Sequence, residues 1–429
     1  MGSNSTIVSF GSVVGFVSAK APAKDAICET YISTENMRPN FGGIEKASSL
    51  PSSGSVSKFE SGDTLFSNIR TYFKKVWQAD FSGHCSNDVL ILRTKDMKTL
   101  LPDYLYNLCR WEKFTDYSVR TSKGAKMPRG DKEALSQFEI CLPPLAEQSS
   151  VVSILNSLDK RITLLLETNK TLESIAQAIF KSWFVDFDPV RAKMEGRQPE
   201  GMDEETAALF PDSFEESELG LRPSGWHLKT LNDAYEINPF RKLRKGNPSK
   251  YLDMANVPTQ GFSVENIITR EFSSGSKFTL HDTLLARITP CLENGKTAYV
   301  DFVEEGEIAS GSTEFIVLKP KPPLPSLHAY LLCRSTIFRE HAIKSMSGTS
   351  GRQRVQNDML GMFIIAIPTV EIVEKFEKIC SAIQNSITSN SAQVKLLSQL
   401  RDTLLPRLIS GQLRLPEAQE QVEDALCHD

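Results

Sequence analysis

Lysine and arginine gather around glycine in two segments of this chain. Arg120, Lys123, Lys126, Arg129 and Lys132 surround Gly124 and Gly130, and Lys344, Arg352 and Arg354 surround Gly348 and Gly351. Gly124 aligns with Gly348 and Arg129 with Arg354. Glycine lets a backbone come close to a phosphate, and guanidinium or ammonium groups supply the countercharge, so the pattern suits contact with a polyanion. Further candidates are Arg70, Lys74 and Lys75 ahead of the first cluster, and Arg241, Lys242, Arg244, Lys245 and Arg287 ahead of the second. One such cluster is most simply a solvated surface; its repetition at aligned places argues for binding.

Bond-making chemistry has no comparable signature. The chain contains no phosphate-binding P-loop, no GxGxxG and no GxSxG. Its six histidines are scattered, and His84-Cys85 and Cys427-His428 lack the second ligand pair of a zinc site. Phe41-Gly42-Gly43 and Asn238-Pro239-Phe240 read as turns.

The aligned clusters belong to a longer duplication. Lys58, Phe59, Asp63, Thr64, Leu65 and Ile69 recur as Lys277, Phe278, Asp282, Thr283, Leu284 and Ile288, a shift of 219. Tyr31 and Asn36 recur as Tyr251 and Asn256 at 220, Leu108-Cys109-Arg110 as Leu332-Cys333-Arg334 at 224, and Leu135, Phe138, Ile140 and Pro143 as Leu360, Phe363, Ile365 and Pro368 at 225. Such a period far exceeds that of solenoid or propeller repeats, so each copy is a domain with its own core. Strand-like runs at 89–92 and 138–142 and a helical patch near 101–114 mark the first copy, 1–144. Val300, 315–318 and 363–367 read as strands and 325–344 as helix in the second, 226–369. Each copy is α+β.

A long helix follows each copy, at 145–183 and 370–409. Val151, Leu155, Leu158, Ile162, Leu165, Asn169, Leu172, Ala176, Ile179 and Trp183 alternate at spacings of four and three, as do Phe376, Cys380, Ile383, Ile387, Asn390, Val394, Leu397, Arg401, Leu404 and Leu408. At 1.5 Å per residue each helix is about 55–60 Å long, too long to bury its stripe on one small domain. Antiparallel pairing with Asn169 opposite Asn390 places Trp183 opposite Phe376 and gives every seam position a seam partner. The two amides then fix the register.

Net charge is −4, but unevenly spread. Residues 186–218 hold 11 acids against 3 Lys or Arg, and 415–429 hold 5 acids and no Lys or Arg. Setting aside those −8 and −5 contributions leaves +9 on the remainder, compatible with a polyanionic partner. Residues 184–225, acidic and rich in Pro and Gly, read as a solvated linker, and 410–429 as a tail. No apolar run reaches membrane-span length, and no basic flank with an apolar stretch opens the chain, so a cytoplasmic protein without a secretory leader is expected. The eight cysteines include no CxxC, and Cys109, Cys141, Cys333 and Cys380 sit in apolar stretches, so reduced core thiols are expected.

The order domain, long helix, domain, long helix resembles the specificity subunit of Type I restriction-modification systems. The residues that carry the resemblance are Ile140 to Gln148 (a strand, then Pro-Pro-Leu-Ala-Glu-Gln), Ala178 to Arg191 (AIFKSWFVDFDPVR) and Leu404 to Gly411 (LLPRLISG). It implies two tandem α/β target recognition domains joined by two antiparallel coiled-coil helices, each domain reading half of a bipartite, asymmetric double-stranded DNA target. It also implies that the helices set the distance between the halves and dock two modification (methyltransferase) subunits in a phage-defence complex. Restriction subunits would join them. S-adenosylmethionine, ATP and Mg²⁺ would then reside in the partners and no cofactor in this chain. Arg129 and Arg354 are expected to be phosphate anchors whose loss weakens binding to many sequences alike. A two-domain protein-binding adaptor with a coiled-coil spacer would also account for duplication and heptads.

Overall fold

A computed structural model describes residues 5–427 apart from 263, 265 and 350. His428, part of one His/Cys pair noted above, lies outside the described residues. The chain forms two compact units, Met1–Thr163 with Val394–Asp429, and Leu164–Gln393. The division passes through both long helices rather than at their ends: each unit contains one copy of the duplication plus part of both helices.

In the first unit a four-stranded antiparallel sheet is ordered Val14–Phe16, Val89–Thr94, Thr64–Ser67, Val76–Gln78. Its central strands are apolar on both faces, as the unbroken run Val89-Leu90-Ile91-Leu92 requires, and all four of these residues are buried. A second sheet is ordered Lys20–Pro22, Ser55–Phe59, Gly83–Cys85, Tyr31–Ile32, with the last pair parallel. Thr6–Ser9 closes against Glu139–Leu142. The helical patch is two helices, Pro102–Arg110 and Glu112–Thr121, which break at Trp111.

The second unit repeats this plan in its four-stranded antiparallel sheet and in three strands of the other. One sheet is ordered Tyr235–Ile237, Phe315–Pro320, Thr283–Ala286, Thr297–Tyr299, and the other Ile268–Glu271, Pro248–Leu252, Ala309–Gly311, Ser276–Phe278. The duplication holds at the level of register: Tyr31 faces His84 in a parallel pair and Tyr251 faces Ser310, while Lys58 faces His84 and Lys277 faces Ser310. The two copies differ at the sheet edge. The fourth strand lies beyond Ser55–Phe59 in the first unit, but beyond Pro248–Leu252, the counterpart of Tyr31–Ile32, in the second. The expected strand at Val300 ends at Tyr299. The expected helix over 325–344 breaks at Ser335, whose backbone is extended and whose hydroxyl accepts from Phe338 N.

The long helices run Leu145–Lys181 and Val370–Ile409. Within the second unit they pair in the expected register: Asn390 Nδ2 donates to Asn169 Oδ1 at 2.8 Å, and the Trp183 and Phe376 rings lie 5.9 Å apart. Within the first unit Arg401, at a seam position, bonds Asp159 at 3.0 Å. Residues 184–225 are not an open linker. They fold as a π-turn at Ser182–Asp186, helices Asp188–Met194 and Glu204–Leu209, and the hairpin of Phe214–Ser217 with Gly220–Pro223. Phe184, Val190, Phe210 and Trp226 bury themselves against Phe180, Trp183 and Phe376, so apolar burial overrides an acidic, turn-rich composition. The tail likewise contains a helix, Leu415–Cys427, which buries Ala418 and Val422. Among the described residues no helix is long and apolar enough to cross a membrane, and no disulfide forms; Cys85, Cys109, Cys333 and Cys380 are buried thiols, and Cys141 is half-buried.

Asn169→Leu leaves the Asn390 amide against hydrocarbon and costs about 1–3 kcal/mol, whereas Asn169→Leu with Asn390→Leu recovers that loss in urea denaturation. A single variant as stable as the parent would show that the amides do not interact. His328 is fully buried, bonded through Nδ1 to the Tyr235 hydroxyl, and burial pushes its pKa down to about 3. The unfolded chain takes up a proton near its ordinary pKa that the folded one refuses, so this stability is complete above about pH 6.5 and is lost as pH falls toward 3. The second unit should lose about 2 kcal/mol between about pH 7 and pH 5, and His328→Gln should flatten that slope.

Candidate nucleic-acid interface

The basic loops stand on the ends of the central strands. In the first unit the strand Thr64–Ser67 runs out into Asn68–Lys75, and a hairpin spans Ser122 to Gly130. Lys123 and Arg129 exchange backbone hydrogen bonds at 2.8 and 2.9 Å, Arg129 pairs with Ile69, and Arg70 N donates to Pro128 O at 2.9 Å. In the second unit Thr283–Ala286 runs out into Arg287–Lys296, and Met346–Ser347 pairs with Arg354–Val355. There Arg354 pairs with Ile288, and Thr289 N donates to Gln353 O at 3.1 Å. These bridges and cross-loop bonds correspond between the units at the shifts read from the sequence. The glycines match too: Gly124 and Gly348 have φ of +103° and +126°, a region closed to most side chains.

This lattice joins the loop that carries Arg70, Lys74 and Lys75 to the hairpin that carries Lys123, Lys126 and Arg129, and the loop that carries Arg287 to the hairpin that carries Arg352 and Arg354. It does not bring Arg241, Lys242, Arg244 and Lys245 to the second of these clusters. Arg241 bonds Asp282, which precedes the strand Thr283–Ala286, whereas Arg287 follows that strand.

Availability divides the candidates further. Arg70, Lys126, Lys242, Arg244, Lys245 and Arg352 are exposed and have no ion-pair partner among the described residues. Lys74 pairs with Glu112 at 3.2 Å and Lys123 with Asp131. Arg129 Nη2 lies 2.8 Å from Asp88 Oδ1, and Arg354 grips Glu314 through Nε and Nη2. Three residues are committed to the fold. Lys75 donates to Thr34 O at 2.6 Å, and burial lowers its pKa. Arg287 donates to Val355 O at 2.9 Å. Arg241 is buried against Asp282 at 2.7 Å, where burial raises the carboxyl pKa despite the guanidinium and the bonds from Thr279. These three are framework groups, a distinction that composition and spacing do not carry.

The loops also present apolar surface that basic-residue counting passes over. Tyr72 and Phe73 are about half exposed between Arg70 and Lys74, with ring centroids 4.7 Å apart, and Phe240 is 92% exposed beside Lys242, Arg244 and Lys245. Aromatic rings within basic loops can stack on bases. The signal is present in sequence, as aromatic residues placed between cations without helix or strand periodicity.

Each domain is anchored to the first long helix by a buried guanidinium. Arg110 bonds Asp159 at 2.6 and 3.2 Å. Burial alone would raise the Asp159 pKa, but Arg110 and Arg401 bring it below the usual carboxylate range. In the second unit Arg334 Nε lies 3.7 Å from Glu173 Oε1 and donates to the Tyr330 hydroxyl, itself 2.8 Å from that carboxylate. Its other nitrogens donate to the carbonyls of Thr259, Gly261, Gly295 and Thr297. No group of His, Cys, Asp and Glu suited to a metal ion occurs among the described residues.

Paired loop lattices on duplicated α+β domains, carried by heptad helices, define a tandemly duplicated protein with one basic loop lattice in each copy. Comparison with known proteins shows what the chain is similar to. Residues 31–174 match the family model for the Type I restriction modification DNA specificity domain. The chain is 25% identical over 399 residues to the HindI specificity subunit of Haemophilus influenzae, covering 82% of this chain and 86% of that one. It is 24% identical over 332 residues to the MjaIX specificity subunit of Methanocaldococcus jannaschii, covering 74% and 70%. The crystal structure of a Type I specificity subunit from M. genitalium superposes with a TM-score of 0.56 at 14% identity, over 95% of this chain and 96% of that one, so the fold is shared. The chain is therefore similar over most of its length to Type I restriction enzyme specificity subunits.

Gly348→Ala and Gly124→Ala each force a side chain into positive φ, and the new Cβ at 348 would meet Arg352 O at 3.1 Å. Each is expected to cost about 1–3 kcal/mol and to speed amide exchange in its own hairpin. Unchanged urea midpoints and unchanged exchange would show that these glycines do not set the loops.

Proposed function

We propose that this chain is the DNA-reading subunit of a Type I restriction-modification complex, with each recognition domain binding one half of a bipartite, asymmetric double-stranded target. The observation that carries this reading is the loop lattice, held by the same backbone bonds in both domains while the side chains around it differ: Tyr72, Phe73 and Lys74 on one, where Tyr72 and Phe73 are part-exposed, against Cys291, a buried Leu292 and an exposed Glu293 on the other. One framework with two sets of side chains suits two different half-sites. The exposed, unpaired cations of the loops, Arg70, Lys126 and Arg352, anchor phosphates, and other side chains of each domain reach base edges.

Catalysis belongs to partners. Two modification subunits dock on the paired helices and carry S-adenosylmethionine, restriction subunits bring ATP and Mg²⁺ chemistry, and the complex works in the cytoplasm. The adaptor reading has no observation that favours it over this one.

The test is binding of the assembled complex to duplex DNA across a salt series. Lys126→Ala and Arg352→Ala should each weaken binding to target and random duplexes alike and reduce the slope of log K against log salt by about 0.9 per lost contact. No affinity for DNA above background, with intact assembly, would sink the proposal in favour of the adaptor.

A further inference from the structure

Among the basic residues of the interface, Arg129 and Arg354 stand apart. They occupy equivalent positions, and each is ion-paired with a carboxylate from an equivalent position, Arg129 through Nη2 and Arg354 through Nε and Nη2. Asn68 N donates to Asp88 O and Arg287 N to Glu314 O, which fixes Asp88 and Glu314 as counterparts. The acid type has changed between copies, yet the ion pair is present in both. Both guanidinium groups remain accessible, with side-chain exposure of 59% for Arg129 and 44% for Arg354.

The geometry at Arg354 says which edge is free. Nε lies 3.0 and 2.9 Å from the two Glu314 oxygens, and Nη2 lies 2.7 Å from Oε1. The carboxylate therefore takes the Nε/Nη2 edge, leaving Nη1 and the outer hydrogen of Nη2 as two parallel donors. The backbone is held as well, by pairing with Ser347 on one side and Ile288 on the other. A phosphate anchor gains from net positive charge and tolerates a mobile side chain. This arrangement does the opposite: it offsets the charge and fixes the fork. Two parallel donors at a fixed position match the O6 and N7 acceptors of guanine in the major groove.

We infer that Arg129 and Arg354 are base-reading residues, each aimed by its carboxylate at a guanine in one half-site, rather than the phosphate anchors that their position beside glycine suggests. Asp88 and Glu314 are positioning residues that act through the guanidinium. The inference rests on the proposed DNA-reading function.

Its test uses the complex with its modification subunits and a panel of target duplexes, each altered at one base pair. Sequence-specific binding by the parent complex tests the function itself; its absence would overturn both readings at once. Given that specificity, Arg354→Lys keeps the charge and loses the fork. It should reduce target affinity by roughly 5- to 150-fold and abolish discrimination at one G·C pair of one half-site, with the salt slope unchanged. Glu314→Gln should weaken discrimination at that same pair while strengthening binding to random duplex and steepening its salt dependence. Arg129→Lys and Asp88→Asn should do the same in the other half-site, and thermal melts confirm that the variants fold. Full discrimination by Arg354→Lys and Arg129→Lys, or losses equal on every duplex, would overturn the inference.

Discussion

Burial of a guanidinium at the end of a helix is the constraint from which the positions of the basic loops follow. Arg110 and Arg334 are nearly inaccessible, and a buried charge stripped of its partner costs several kcal/mol, so each must meet a carboxylate. Both carboxylates, Asp159 and Glu173, come from the same helix, Leu145–Lys181. The duplication does not require this, because the counterparts of Asp159 and Glu173 on the second helix, at the shift of 225, are Gln384 and Ser398. Two solutions to one electrostatic problem have been drawn from one helix. Arg110 shares Asp159 with Arg401, whereas Arg334 supplements Glu173 with Tyr330 and four carbonyls. In each unit the helix that ends in this arginine is thereby fixed to the long helix, and the loops continue from the sheet strands and are bonded to one another.

Much of this can be read from the chain because its periods are exact arithmetic on residue type. The shifts of 219 to 225 predict which strands and hairpins correspond, and the bridges Ile69 to Arg129 and Ile288 to Arg354 fall where those shifts put them. The heptad spacing predicts the pairing of Asn169 with Asn390, since only one register matches amide to amide. What the sequence hides shares a cause. Residues 184–225 carry their aromatic residues singly, without period, among acids, prolines and glycines, so nothing local announces that Phe184, Phe210 and Trp226 meet in one core. Charge partners are equally silent. Arg241 looks like Arg244 in sequence, but Asp282 lies 41 positions away and only the fold makes Arg241 a buried clamp. The carboxylates beside Arg129 and Arg354 are hidden for the same reason.

The two domains also show where variation is tolerated. The backbone bonds from Gly130 N to Asn68 O and from Arg70 N to Pro128 O recur from Val355 N to Arg287 O and from Thr289 N to Gln353 O, although none of these residues is the same in the two copies. Main-chain bonding makes this lattice indifferent to side chains, so its exposed positions can change while the loops keep their shape. The edge strand, placed on opposite sides of the two smaller sheets, varies in the same permissive way. Constancy is concentrated in the buried arginines and the sheet registers.

The central claim is that two domains of one chain read two different half-sites. Its most direct measurement is single-molecule methylome sequencing of cells containing this chain with its modification partner, with and without replacement of the first recognition domain by that of a relative. The account predicts one asymmetric motif with two specified halves separated by a fixed number of unspecified base pairs, and replacement should change one half alone. A continuous motif, a change in both halves, or a methylation pattern indifferent to this chain would contradict it.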